Sequence, residues 1–251
     1  MTTTGEQPAP LTAGQRRRQA AKGRQVARLA AWDEGLAEGR LWPRITAWFD
    51  LLWRDHGFLR LAYGNRHPVS AGLWRSAQPS PVSIRSAAAL GVKTVVSLRG
   101  PFFGGGDPLE RDACRRAGLA FHRIVLHSRS APNPAALSEL ISLYREAEHP
   151  ILVHCKSGAD RAGLAAAVWS LAIERQTAAV AASQLALRYG HIKSAKTGIL
   201  DAFVALYAAE GEAGGLDFET WLTTRYDPED LKARFKSNRA ADLFLAVIDR
   251  E

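Results

Sequence analysis

The sequence has 251 residues, of which 47% are hydrophobic and 23% charged, with a formal net charge of +8 and a pI near 9.9. That balance fits a chain able to bury a core, is compatible with acidic or phosphorylated partners, and excludes a fully disordered polyelectrolyte. No apolar run reaches the roughly 18 residues of a membrane span, and two cysteines, Cys114 and Cys155, exclude a disulfide framework. No Cys/His cluster has zinc spacing and no internal repeat is present, so no metal or other cofactor is expected.

Residues 1–25 are polar and aperiodic, with Pro8 and Pro10 followed by Arg16, Arg17, Arg18, Lys22 and Arg24; a basic disordered tail is expected. The stretch carries no apolar core of a secretory leader, and reduced thiols suit the cytoplasm, so a soluble cytoplasmic protein is expected. Residues 26–69 read as an N-terminal helical arm. Leu29, Trp32 and Leu36, then Ile45, Trp48, Phe49, Leu51 and Leu52, recur with helical spacing, broken at Pro43. Trp32, Trp42, Trp48 and Trp53 beside several arginines give the arm a second reading, as a surface for anionic membrane that would make the protein peripheral to it; nucleic acid is not expected there.

Residues 70–175 read as the core. Gly72 to Arg75 is a short strand, Ser76 to Pro81 a turn, and Val82 to Leu90 a helix stopped by Gly91. Val92 to Leu98 is a clear strand, and Phe102 to Gly106 a glycine-rich loop near the carboxyl edge, where ligands of α/β sheets bind. A helix from Pro108 to Ala117 opens beside Asp107, Glu110 and Asp112, where acids complement the helix dipole. Leu119 to Leu126 is a strand, and Pro134 to Glu148 a helix with Leu137, Leu140, Ile141 and Tyr144 on its apolar face. The repeated βα order predicts an α/β fold with a largely parallel central sheet flanked by helices. Residues 176–251 read as a helical C-terminal part packed on the core: Thr177 to Tyr189, Thr197 to Ala209, Phe218 to Thr223 and Ser237 to Asp249, with a hinge at Gly211 to Gly215. The Gly190 to Lys193 loop reads as a solvated turn; a substrate contact by His191 or Lys193 is the alternative.

The chemistry concentrates after the strand Ile151 to Val153, where Cys155 to Arg161 forms a loop and a small-residue helix follows to Arg175. Backbone N–H groups of such a loop point inward, and the helix N-terminus adds partial positive charge, so an anion is favoured there and Cys155 is favoured as thiolate. Cys155 is the candidate nucleophile. Lys156, Ser157, Gly158, Ala159, Asp160 and Arg161 are the candidate phosphate cradle, with the Arg161 guanidinium as a planar fork for two phosphate oxygens.

His154, Cys155 and Arg161 form a His-Cys-x5-Arg pattern that resembles the signature of the cysteine-dependent protein tyrosine and dual-specificity phosphatase superfamily. The stretch Trp74-Arg75-Ser76-Ala77-Gln78-Pro79-Ser80 is similar to the opening of bacterial and fungal atypical dual-specificity phosphatases, with Arg75 and Gln78 expected to brace the sheet edge or the loop. The resemblance implies a dual-specificity-phosphatase-like fold over roughly residues 70–175; the helical additions at both ends rest on pattern alone. It also implies metal-free hydrolysis of phosphomonoesters through a phosphocysteine, on a phosphorylated protein or a phosphoinositide.

Two departures qualify that likeness. Ala162 stands where many members carry Ser or Thr, and Leu126 to Asn133, where the family takes its general acid, holds no carboxylate. Asp160 resembles the acid of the Cys-x4-Asp-Arg loops in myotubularin-type and Sac-type phosphoinositide phosphatases, and is the first acid candidate; orienting Arg161 is its alternative role. His127 is the second candidate, and Asp107, Glu110 or Asp112 the third. Lys156, which resembles the Lys of loops in lipid-acting relatives, keeps a phosphoinositide or inositol-phosphate phosphatase open, and the two departures keep open a phosphate-binding module with little turnover.

Overall fold

The computed structural model describes residues 12–54, 58, 63–100 and 104–235. A five-stranded sheet runs in the order β1-β2-β5-β3-β4, built from β1 (His67–Pro68), β2 (Leu73–Ser76), β3 (Thr94–Ser97), β4 (Ala120–Arg123) and β5 (Ile151–His154). Only β1 is antiparallel; the other four strands are parallel, so their carboxyl ends share one edge. The alternation of β5 decides which helices cover which face. Ile151 and Val153 point into the larger core with the helix that follows Cys155, while Leu152 points into a smaller cluster with Ile84, Val92, Val95 and Cys114.

Two helices, α1 (Ala13–Ala37) and α2 (Leu41–Phe49), precede the sheet, and α2 continues as a π-helical turn over Asp50–Arg54. The smaller cluster is covered by α3 (Pro81–Ala89) and α4 (Gly106–Ala117). The opposite face carries α5 (Pro134–Glu146) and α6 (Asp160–Ala172), with α7 (Ala178–Ala182), α8 (Ile199–Leu206), α9 (Phe218–Thr224) and α10 (Pro228–Arg234) behind them. Every residue of α6 is buried, as its run of Ala and small apolar side chains requires for a helix pressed between sheet and helices.

Several expectations shift. Of the expected disordered tail, residues 1–11 lie outside the described residues and residues 13–25 are helical: Thr12 and Gln15 close a capping box at the start of α1. The Ala, Gln and Arg that follow are good helix formers, so the helix propagates outward from its docked half without an apolar stripe of its own. Pro43 does not break the arm; it lies in the first turn of α2, where an N–H has no intrahelical partner to lose. The break is at Gly39, with φ +74°. Leu29, Trp32 and Leu36 of α1 pack with Ala47, Leu51 and Leu109, so the arm is seated on α4.

The expected helix over Thr177 to Tyr189 is cut to α7 and a 3-10 turn at Leu187–Tyr189. Residues 211–215 are π and 3-10 turns pressed against Tyr207 rather than a hinge. The expected glycine-rich loop falls partly, and the helix Ser237 to Asp249 wholly, outside the described residues. Phe218 and Trp221 join Phe203, Tyr207 and Tyr226 in one aromatic cluster continuous with the main core, so residues 217–234 pack onto it.

Candidate active site

Strand β5 delivers Cys155 to the carboxyl edge between β2 and β3, whose ends supply Ser76, Ala77 and Gln78 on one side and Leu98 and Arg99 on the other. The loop after Cys155 is held from outside by its carbonyls. The Gln78 N–H donates to Lys156 O (3.2 Å), Asn65 Nδ2 to Ser157 O (2.9 Å), and Arg75 Nη2 to Gly158 O (2.8 Å) and Ala159 O (2.9 Å). In a trans peptide the C=O and N–H point in opposite directions, so four outward carbonyls turn the following N–H groups inward. The Gly158 N–H reaches Cys155 Sγ at 3.3 Å. At its far end the loop becomes the N-terminus of α6, which has no side-chain cap. Inward N–H groups and an uncapped 13-residue helix make an anion cradle over the thiol.

Gly158 is required twice. Its φ is +78°, and a Cβ would stand 2.6 Å from Ala77 N and 2.7 Å from Ser76 C. Arg75 is fully buried; besides the two loop carbonyls it donates from Nη1 to Gln184 O (2.6 Å) and Gln184 Oε1 (3.1 Å), and its guanidinium lies 3.9 Å from the Tyr189 ring centroid. Burial lowers its pKa to about 10, against the opposing influence of Tyr189, Cys155 and Asp160. Arg75 and Gln78 therefore brace the loop, one from beneath and one from its start.

A further layer explains the acids of α4. Glu110 accepts from Gln78 Nε2, and its other oxygen lies 2.5 Å from His154 Nε2, both side chains being fully buried. Asp107 is bound by Arg111 (3.0 Å) and Arg123. Asp112 is bound by Arg44 (3.0 Å), Arg115 (2.5 Å) and Arg116 (2.9 Å). All three third-choice acids are thus engaged by neighbouring side chains of the fold.

Asp160 is nearly buried, and its Oδ1 lies 2.6 Å from His191 Nδ1; His191 Nε2 lies 2.6 Å from Asp201 Oδ2. Burial of His191 opposes its charge, yet the two carboxylates outweigh burial and raise its pKa to about 9. His191 is thus neither a solvated turn nor a surface contact; it is an internal imidazolium behind Asp160. Lys193 of the same loop is exposed. His127, the second acid candidate, is exposed on the segment after β4 and makes no hydrogen bond to the loop. Lys156 and Arg161 are buried, and Ala162 is fully buried. The other thiol, Cys114, lies in the cluster on the opposite face of the sheet, where burial, reinforced by Glu110, pushes it well up.

Sequence reasoning missed Asn65, Gln184 and Asp201. Asn65 has the left-handed φ of 43°, which Asn tolerates better than most residues, so Gly64-Asn65 was a turn signal, but nothing local says that its amide reaches Ser157 O and Tyr189 O. Gln184 acts through its carbonyl, and Asp201 meets His191 only in the tertiary structure.

Residues 64–200 match the family model described as a DSP-PTPase phosphatase fused to NAD+ kinase. The dual specificity protein phosphatase TpbA of Pseudomonas aeruginosa strain UCBPP-PA14 is 33% identical over 114 residues, which are 44% of this chain and 48% of that protein. The chain thus spans about half the length of the curated relatives it matches. The crystal structure of P. aeruginosa TpbA is 24% identical with a TM-score of 0.48, covering 59% of this chain and 93% of that one. A DUF442 protein from Shewanella putrefaciens CN-32 superposes with a TM-score of 0.50 at 17% identity, over 61% of this chain and 95% of that one, and shares the fold. With the family model matched over more than half of its length, on a parallel sheet whose carboxyl edge carries the His154-Cys155 to Arg161 loop, the chain belongs to the DSP-PTPase family described as phosphatase fused to NAD+ kinase.

Proposed function

We propose that this protein is a cysteine-dependent phosphatase that hydrolyses phosphomonoesters of the phosphotyrosine or dual-specificity type through a phosphocysteine intermediate. One observation carries the reading: the carbonyls of residues 156–159 are bound outward, which turns the following N–H groups inward, the Gly158 N–H lying 3.3 Å from Cys155 Sγ. A phosphate dianion fits that cradle, with the Arg161 guanidinium on its non-bridging oxygens. Cys155 Sγ attacks phosphorus; the S–P bond forms as the P–O bond breaks, and the leaving oxygen takes a proton supplied at Asp160. Water then attacks phosphorus, and the sulfur leaves with its electron pair. Ala162 offers no hydroxyl to the departing sulfur, which makes this second step the slower one.

The free thiols Cys114 and Cys155 favour a reducing compartment such as the cytoplasm. Among the described residues no helix is long and apolar enough to cross a membrane. The exposed faces of Trp42, Ile45, Phe49 and Trp53, next to the arginines of α1, support contact with an anionic membrane surface from the side of the arm. Vesicles containing phosphatidylserine should then sediment the protein and neutral vesicles should not; equal binding to both would remove that part of the reading.

The function is tested by pre-steady-state hydrolysis of p-nitrophenyl phosphate by wild type and Cys155→Ser, with EDTA present. A burst followed by slower steady turnover, both lost in the variant, is expected. Turnover retained by the variant defeats the phosphocysteine route, whereas one stoichiometric burst followed by arrest assigns the protein to phosphate capture.

A further inference from the structure

Asp160 stands beside the predicted cradle but does not stand alone: its Oδ1 meets His191 Nδ1 at 2.6 Å, and His191 is fixed on its other side by Asp201 at 2.6 Å. All three are on separate elements, Asp160 opening α6, Asp201 in the first turn of α8, and His191 on the loop between α7 and α8. The His191 loop is tied to the cradle by further bonds, since Asn65 Nδ2 joins Tyr189 O to Ser157 O and Arg75 lies over the Tyr189 ring. Gly190, with φ +82°, turns the chain so that the next residue faces inward. An imidazole whose two nitrogens both face carboxylate oxygens in a buried site has a defined place for each of its protons.

We infer that the proton given to the leaving group is stored on His191, with Asp160 as its carrier and Asp201 as the anchor that holds the ring. The inference rests on the phosphatase reading and supplies the acid that the segment Leu126 to Asn133 lacks. In the free protein the imidazolium donates from Nδ1 to Asp160 and from Nε2 to Asp201. A phosphate dianion entering the cradle adds negative charge beside Asp160 and favours transfer of the Nδ1 proton to its carboxylate. As the P–O bond breaks, Asp160 gives that proton to the leaving oxygen. His191 is left neutral, holding its remaining proton on Nε2 toward Asp201. In the second step water loses a proton to Asp160, its oxygen bonds phosphorus, the S–P bond breaks, and the proton returns to His191 Nδ1. One proton leaves with the alcohol and one arrives from water in each cycle.

The groups that face His191 are Asp160 from α6 and Asp201 from α8; Arg161 follows Asp160, and Lys193 and Lys196 of its own loop are exposed to solvent. His191 is a positioning residue by this account, because it acts through Asp160.

The test compares phenyl phosphate, whose leaving group needs a proton, with p-nitrophenyl phosphate, whose leaving group hardly does, in wild type, His191→Gln and Asp201→Asn over pH 5 to 10. His191→Gln should lower kcat on phenyl phosphate about 100-fold more than on p-nitrophenyl phosphate. Asp201→Asn should move the alkaline limb of the phenyl phosphate profile to lower pH, because one of the two carboxylates that favour the imidazolium is gone. Equal losses on both substrates, or an unmoved limb in Asp201→Asn, overturn the inference and leave His191 as a strut. If His191→Gln does not fold, the Asp201→Asn limb decides. If wild type turns over neither substrate, the phosphatase reading fails by itself, and nitrogen-15 NMR of the His191 ring in Cys155→Ser decides the storage site: loss of the Nδ1 proton on adding inorganic phosphate supports it, and an unchanged imidazolium overturns it.

Discussion

Two groups of arginines use the same hydrogen-bonding chemistry at opposite ends of the functional region. Arg75 lies fully buried under the phosphate loop and satisfies carbonyls from Gly158, Ala159 and Gln184. Arg44, Arg115 and Arg116 converge on Asp112 at the seam between arm and α4, where their side chains remain 29%, 53% and 53% exposed. The first group has no water to replace a lost partner, and the second has it within reach. Burial, more than the number of bonds, sets what each arginine is worth. The loop after Cys155 is thus specified by a buried cation that cannot be removed cheaply, while the arm is attached by bonds that solvent can partly replace.

Arg75→Met should separate the two regions most sharply. It keeps an apolar stem but strands three buried carbonyls, and should cost about 3–5 kcal/mol in urea unfolding together with loss of p-nitrophenyl phosphate turnover. A loss below about 1 kcal/mol would show that the loop carbonyls find other donors. Gly158→Ala is expected to cost about 1–3 kcal/mol and to depress turnover more than stability, because it moves the loop backbone away from Ala77. Unfolding midpoints and kcat measured on the same preparation distinguish that from a uniform loss.

Asp112→Asn should cost only about 1 kcal/mol. Burial pushes the Asp112 carboxyl up, but the bonds from Arg115, Arg116 and Arg44 more than offset it and hold it below 3.8. The stability it supplies is therefore present above that value and fades as pH falls through the lower folded value. Wild type and variant should converge in acid unfolding once the pH lies well below 3.8 and differ at neutral pH; a constant gap at all pH values would assign the loss to packing.

The same contrast explains what could be read from the sequence. The parallel core was legible because β3, β5 and the loop after Cys155 are local patterns: a β-branched run, a turn, a small-residue helix. Cys155 and Arg161 follow from seven residues in a row. Gln184 was hidden because Thr177 to Tyr189 has helical composition, yet α7 stops at Ala182 and the Gln184 carbonyl accepts from Arg75 rather than continuing a helix. His191 looked like part of a solvated turn, since the carboxylates that hold it come from α6 and from α8, 31 residues before it and 10 after. The start of α1 was illegible for the opposite reason, being held by propensity and a cap without any buried stripe of its own.

The sheet itself stands between the two thiols. Cys155 lies with the core under α6, and Cys114 with the cluster under α3 and α4 on the other face. A sulfenic acid formed on Cys155 would therefore have the sheet between it and Cys114, so its reduction would call on a thiol from elsewhere, such as glutathione.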